Sequence, residues 1–284
     1  MSKQLVPVYD KPMTYYPLTT LIEAGVDEIL VITTPHDQAA FVRLLGDGSA
    51  FGVSLSYCAQ PRPAGLAEAF LLGREFIGRA PVPLGLGDSL FYGPQWTDLL
   101  ACTRAPEGAQ IFAAEVADPR PFGVAQIDPD GRVLSIEEKP RQPRSNLAVP
   151  GLYCYDSDVV EIARSLTPSE RGELEISDVH QIYLAAGRVR AERLPPGTAW
   201  LDTGTAGAMH DAASFVRLLQ DQQGILVGSP EQAAWRRGFL SDAELAERSE
   251  ALSRCQYGRR VAALLTSGAT LHQSGWGHPA LQAA

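Results

Sequence analysis

Asp88 stands where an α/β chain gathers its ligands, and Asp202 is a second carboxylate of interest. Asp88 follows an apolar run, Val82 to Leu86, and Gly87. Ligands in open α/β sheets sit outside the carboxyl ends of the strands. A carboxylate there can hold a hard cation, and Gly87 lets a ligand approach the backbone. The bland alternative is a turn or helix-capping aspartate. Asp202 lies in Ala199-Trp200-Leu201-Asp202-Thr203-Gly204-Thr205, where Asp202 or Thr203 could equally cap a following helix. Were the two to converge on one cleft, they would suit Mg²⁺, which takes one or two carboxylates plus phosphate oxygens and water. Spacing alone does not show that convergence. In Glu137-Glu138-Lys139-Pro140, Pro140 stops a strand and keeps Lys139 at its end. Lys139 there is either a point charge for phosphate or part of a solvated surface cluster. Lys3, near the amino terminus, is uninformative alone.

Other chemistries find no support. Gly46-Asp47-Gly48, Gly85-Leu86-Gly87 and Gly204-Thr205-Ala206-Gly207 lack the spacing of a dinucleotide or P-loop cradle. His36, His180, His210, His272 and His278 are scattered, without zinc-ligand spacing, and no G-x-S-x-G elbow occurs. Cys58, Cys102, Cys154 and Cys255 form no C-x-x-C pair and read as reduced buried thiols.

The elements that must position these residues alternate between helix and strand. Tyr15 to Ala24 reads as a helix stopped by Gly25, and Glu28 to Thr33 as a buried parallel strand. A helix is expected over His36 to Leu45, a strand over Val53 to Cys58, and one apolar helix over Leu66 to Ile77. Strands follow at Val82 to Leu86 and Gln110 to Val116. This order predicts an α/β domain with a mainly parallel sheet. Asp128-Pro129-Asp130-Gly131 has hairpin turn chemistry between Val124 to Ile127 and Val133 to Ile136. Later elements are a strand at Leu152 to Tyr155, helices over Asp158 to Leu166 and Ile176 to Ala186, and a strand at Val189 to Leu194. A long helix runs from Thr205 to Gln222. After about Gly228 the pattern is helical only, with Ser241 and Glu244 at capping-box spacing and a fraying tail from Thr266. The expected division is therefore 1–227 and 228–284.

With 284 residues and 45% apolar content, the chain can bury one large core with a helical appendage. A net charge of −9 argues against a nucleic-acid partner but not against a small anionic substrate held by local cations and a metal. No apolar run approaches the ~18 residues of a membrane span, and the start lacks a signal-peptide core. The expectation is a cytoplasmic protein with no membrane partner.

Collinear motifs carry a resemblance. They are Ser2-Lys3-Gln4-Leu5-Val6-Pro7-Val8-Tyr9-Asp10-Lys11-Pro12-Met13, Leu45-Gly46-Asp47-Gly48-Ser49, Gln60-Pro61 with Gly65-Leu66-Ala67, Leu86-Gly87-Asp88, and Phe91-Tyr92-Gly93. Glu137-Glu138-Lys139-Pro140, Gly151-Leu152-Tyr153, Arg171-Gly172-Glu173-Leu174-Glu175-Ile176, Trp200-Leu201-Asp202-Thr203-Gly204-Thr205, and Pro230-Glu231 with Arg237-Gly238-Phe239 continue them. Together they resemble the glucose-1-phosphate thymidylyltransferase family from Ser2 to about Gly258. The resemblance implies a Rossmann-like α/β fold and the joining of glucose 1-phosphate to dTTP, giving dTDP-glucose and pyrophosphate. It implies Mg²⁺ on Asp88 and Asp202, Lys3 facing the nucleotide phosphates, and Lys139 on the sugar phosphate. Glu138 would bind sugar hydroxyls, Gly123 and Val149 would line the sugar pocket with backbone, and Gln60 and Gly65 would read thymine. Gln4 joins the substrate-binding set. A homotetramer with a regulatory nucleotide-sugar site is also implied.

Some positions depart from the family. It begins with a buried strand and a Gly-rich, arginine-bearing loop around the triphosphate, and this sequence starts after them, so the sheet is expected to lack its first strand. Ser89 stands in place of Asn, Ala64 of Asp, Gln126 of Glu and Pro150 of a small polar residue. These departures keep a second expectation open: a non-catalytic relative that binds a nucleotide sugar or assembles with a complete paralogue.

Overall fold

The computed structural model describes residues 2–93, 99–100 and 107–267. Cys102, His272, His278 and the tail beyond Ser267 lie outside the described residues. The chain opens with a short hairpin, β1 (Pro7–Val8) and β2 (Lys11–Pro12), leading into helix α1 (Tyr15–Glu23). Strands β3 (Glu28–Thr33) and β4 (Ser54–Ala59) follow, paired in parallel with Glu28 opposite Ser54, and joined through α2 (Gln38–Leu45). The expected single helix over Leu66 to Ile77 is instead two, α3 (Glu68–Leu72) and α4 (Arg74–Ile77). The break falls at Gly73, and glycine is among the weakest residues inside a helix.

The central sheet has the order β5 (Val82–Gly85), β11 (Leu152–Tyr155), β7 (Ala109–Glu115), β10 (Leu147–Ala148), β8 (Gly123–Ile127), β9 (Val133–Glu138), with β12 (Val189–Arg193) pairing β7. Beside it, β6 (Ser89–Tyr92) and β13 (Ala199–Asp202) form an antiparallel pair. Helices α5 (Val159–Ser165) and α6 (Ile176–Ala185) cover β7 and β11 through a shared apolar cluster. The long helix α7 (Ala206–Gln223) is capped by Thr205, whose hydroxyl accepts from the Ala208 N–H.

The mainly parallel sheet expected from the sequence is not what the described strands form. Only β3–β4 and β7–β12 run parallel, and the remaining pairings are antiparallel. Local hairpins such as β8–β9 and the insertion of β11 between β5 and β7 supply the antiparallel contacts. The two parallel regions are also not joined. Between β3 and β5 lies a cavity of about 370 Å³ lined by Ile29, Leu30, Ile32, Phe70, Val82 and Leu84.

Three helices close the described chain: α8 (Pro230–Arg237), α9 (Asp242–Ala251) and α10 (Gln256–Ser267). The capping box at Ser241 forms as its spacing predicts, with the Ser241 hydroxyl bound by the Glu244 N–H and the Glu244 carboxylate accepting from the Ser241 N–H. These helices do not stand apart. Ala234, Leu245, Tyr257 and Val261 share one buried cluster with Tyr15, Ile22, Phe41 and Phe51. No helix among the described residues is long and apolar enough to cross a membrane.

Candidate active site

Asp88 and Asp202 come together because β6 pairs with β13, a strand that the sequence did not lead us to expect. Register places Asp202 opposite Ser89, the residue after Asp88. Thr203 ties the two strand ends together: its N–H and its hydroxyl both donate to the Asp88 carbonyl, at 3.0 and 2.7 Å. Thr203 is 1% exposed, so this joint is shielded from water, where hydrogen bonds hold best. Asp202 also accepts from the Gly204 N–H at 3.0 Å. Neither aspartate caps α7, because Thr205 does.

The closeness has an electrostatic consequence. Burial, and next the Asp88 carboxylate, push the Asp202 pKa above its ordinary value, while the Gly204 N–H, Lys3 and Lys139 pull it down. Two carboxylates repelling in a half-buried site are relieved by a cation. At present Lys3 serves Asp88, with Nζ 2.5 Å from Oδ2. The oxygen-only donor set fits a hard cation rather than zinc. Among the described residues no cluster of three or more His, Cys, Asp and Glu side chains that could hold a metal forms, so the pair of aspartates would rely on phosphate oxygens and water to complete a cation's shell.

Asp88 and Asp202 open onto a cavity of about 240 Å³. Gly123, Glu138, Lys139 and Val149 line it, so the expected sugar-facing residues share one cleft with the expected metal ligands. Their placement follows from the β8–β9 hairpin: Gly123 sits opposite Glu138, and the Val149 N–H donates to the Gly123 carbonyl at 2.8 Å. Lys139 is held by backbone geometry. Its φ of 45° is left-handed, unusual for a side-chain-bearing residue, and its N–H donates to the Phe122 carbonyl at 3.0 Å. Lys139 Nζ lies 3.8 Å from the Glu138 carboxylate.

Gln4 reaches the same region: its Cγ lies 2.9 Å from where a side chain at Gly87 would begin. A side chain at 87 would force Gln4 to move. Gln60 and Gly65 form a neighbouring loop instead of lining this cavity. Gln60 Nε2 donates to the Gly65 carbonyl at 3.1 Å and to Glu68 at 2.7 Å. Gly65 has φ +94°, and a side chain there would strike the Leu174 backbone at 2.2 Å. The loop meets the cavity at Leu66.

Reasoning from sequence passed over several lining residues: Phe122, Tyr153, Ser177, His180 and Trp200. Phe122 and Trp200 pack edge to face at 4.8 Å. His180 is buried, its pKa pushed down to about 4 by that burial, and its Nε2 is hydrogen-bonded to Tyr155 Oη at 2.7 Å. Its scattered position in the sequence carried no signal. Trp200 and Tyr153 fell inside the motifs but offered no ionisable group to draw notice.

Comparison with known proteins gives one answer. The nucleotidyl transferase family profile matches residues 1–218. A glucose-1-phosphate thymidylyltransferase of Mycolicibacterium smegmatis is 55% identical over 265 residues, covering 93% of this chain and 92% of the relative. That of Neisseria meningitidis is 52% identical over 266 residues, with 93% and 92% covered. Among solved structures, a Bacillus anthracis protein described as a glucose-1-phosphate thymidylyltransferase, in complex with a sucrose, is similar with a TM-score of 0.69 and 36% identity, covering 76% of this chain and 86% of that one. A UDP-glucose pyrophosphorylase complexed with UDP-glucose shares the fold, with a TM-score of 0.65 and 22% identity over 75% of this chain and 89% of that one. The chain belongs to the nucleotidyl transferase family.

Proposed function

We propose that this chain transfers the thymidylyl group of dTTP to glucose 1-phosphate, forming dTDP-glucose and releasing pyrophosphate. The observation that supports it most is the joining of Asp88, Asp202, Lys3 and Lys139 at one mouth of a cavity whose wall is Glu138, Gly123 and Val149. That cleft suits a phosphorylated sugar, because it offers cations and carboxylates for phosphate and metal beside hydroxyl acceptors and backbone for the sugar.

In this reading a sugar-phosphate oxygen attacks the α-phosphorus in line. A new P–O bond forms there, the bond to the β-phosphate bridging oxygen breaks, and pyrophosphate leaves with that electron pair. Such chemistry asks mainly for positioning and charge neutralisation. Asp88 and Asp202 would hold Mg²⁺, which when bound supplies neutralisation of phosphate charge. Lys3 exchanges Asp88 for nucleotide phosphate oxygens. Lys139 holds the phosphate of the sugar, and the adjacent Glu138 carboxylate accepts from sugar hydroxyls. Gln4, Gln60 and Gly65 bind the nucleotide side, Gln60 through a loop braced by Glu68. The transferase unit spans 1–227, helices α8, α9 and α10 beyond it support it, and copies of the chain assemble into a homo-oligomer.

Initial rates of pyrophosphate release with purified protein, Mg²⁺, dTTP and glucose 1-phosphate test the activity. Replacing dTTP with UTP, or glucose 1-phosphate with glucose 6-phosphate, is expected to slow release. Nucleotide binding with no release under any pairing would instead favour a non-catalytic binder. Light scattering is expected to give a multiple of the 30.6 kDa chain mass; a single-chain mass would refute assembly.

A further inference from the structure

The β1–β2 hairpin follows Lys3 and Gln4 directly, and its tip is unusual. Val8 pairs with Lys11, leaving Tyr9 and Asp10 as a two-residue turn. Tyr9 has φ 62°, in the left-handed region. Glycine is the usual residue at such a first turn position, so a tyrosine there is strained and must be held by its surroundings.

What holds it comes from the far end of the chain. Tyr9 Oη donates to Asp221 on α7 at 3.0 Å, and Arg260 on α10 donates to the same carboxylate at 2.7 Å. Asp10 accepts from Lys11 at 2.5 Å and from Gln220 at 2.7 Å, and Lys11 donates to Gln220 at 3.1 Å, closing a triangle. Lys11 is 2% exposed, a rarity for a lysine. Its ammonium lies over the rings of Tyr16 and Tyr257, at 5.2 and 5.1 Å. Tyr257 in turn bonds to Glu231, which is 0% exposed and pairs with Arg248 at 3.1 Å. Helix α7 therefore holds the hairpin tip directly, and α8–α10 back it through Arg260 at the surface and through the buried stack of Lys11, Tyr257 and Glu231.

The base of the hairpin leads to the cleft. Met13 N–H donates to the Val6 carbonyl at 3.0 Å and Thr14 N–H to the Gln4 carbonyl at 2.9 Å. Met13 Sδ lies 3.1 Å from Thr203 Oγ1, the hydroxyl that binds the Asp88 carbonyl. None of α8, α9 and α10 contributes a residue to the cavity lining. The hairpin is one route from these helices to Lys3, Gln4 and Asp88; Leu5, packed on the apolar cluster that α8–α10 share with α1, is a second.

We infer that Lys11 is a positioning residue: α7, backed by the carboxy-terminal helices, clamps the Tyr9–Asp10 turn, which fixes Lys3 and Gln4 beside Asp88. The catalytic part of this inference rests on the proposed transferase reading; the mechanical part does not.

The test compares the full chain with Lys11→Met/Asp10→Asn, which removes both buried charges together, and with the milder Tyr9→Phe. Hydrogen exchange is read at the Met13 and Thr14 amides and across α8–α10. The expected result is exchange about tenfold faster at those two amides in the double variant, a smaller change in the same direction for Tyr9→Phe, and retained protection in α9. Turnover is expected to fall about ten- to hundredfold in kcat, with KM for glucose 1-phosphate essentially unchanged. Unchanged exchange at Met13 and Thr14 in both variants overturns the clamp. So does a uniform loss of protection over the whole molecule in the double variant with no local change in Tyr9→Phe. Wild-type protein without turnover would refute the transferase reading, while the exchange data would still decide the clamp. Active variants with altered exchange but unaltered kcat would overturn the link to catalysis.

Discussion

At Asp202, function and stability pull in opposite directions. Its carboxylate is half-buried and faces the like charge of Asp88, an arrangement that costs the folded protein something without a bound cation. Asp202→Asn is therefore expected to unfold at the same or a higher temperature in metal-free buffer. Turnover is expected to drop by about 10²–10³, the scale of one lost preorganised electrostatic contact. Thermal melts and initial rates on the same preparation check both halves. Lys139→Met is expected to raise KM for glucose 1-phosphate with little effect on the binding of dTTP, measured by calorimetry. Asp88 was legible in the sequence as a carboxylate after an apolar run, and Asp202 as a carboxylate ahead of a helix that it or Thr203 could equally have capped. Their meeting was not, because it depends on β6 pairing with β13 across more than a hundred residues. Lys3 was uninformative alone for the same reason: its partner Asp88 is distant in sequence.

Elements were read best where local signals were strong. Helix α1, strand β3, the β8–β9 hairpin and the α9 capping box follow from apolar periodicity and turn or cap residues. The β1–β2 hairpin was not foreseen, because Tyr9-Asp10 lacks the glycine that marks a tight turn; tertiary bonds to α7 hold it instead. Sheet direction was misread because alternation of helix and strand suggested parallel crossovers, while β11 enters antiparallel between β5 and β7. The loop of Gln60 and Gly65 makes an element-scale prediction. Gly65→Ala forces a side chain into a left-handed position against the Leu174 backbone. It is expected to destabilise the protein by about 1–3 kcal/mol and to weaken dTTP binding more than glucose 1-phosphate binding. Chemical denaturation and calorimetry would show this; unchanged nucleotide affinity would contradict a role for the loop.

Across the whole molecule, one apolar cluster joins the two sides of the division of 1–227 from 228–284, which the helical-only pattern after about Gly228 suggested. Helix α1 and helices α8–α10 bury the same apolar cluster. Glu23, at the end of α1, feels this contact: burial raises its pKa to about 7, partly opposed by Arg236 and Arg237 of α8. A carboxyl that holds its proton more tightly when folded stabilises the native state less as pH rises from its ordinary value of about 4.5 toward 7. Glu23→Gln is thus expected to raise Tm at pH 8 and to leave it unchanged at pH 4. His180 works in the other direction. Its folded pKa of about 4 is depressed, so its contribution is present above about 6.5 and is lost as pH falls toward 4.

The central claim is that one cleft, built on Asp88 and Asp202, carries out thymidylyl transfer. Phosphorus NMR of a single reaction, with purified chain, Mg²⁺, dTTP and glucose 1-phosphate, follows every phosphate at once. The account predicts growth of the two coupled diphosphate signals of dTDP-glucose in step with pyrophosphate, and their near absence with Asp202→Asn. Product forming equally fast with Asp202→Asn, or no product from the wild-type chain, would contradict it.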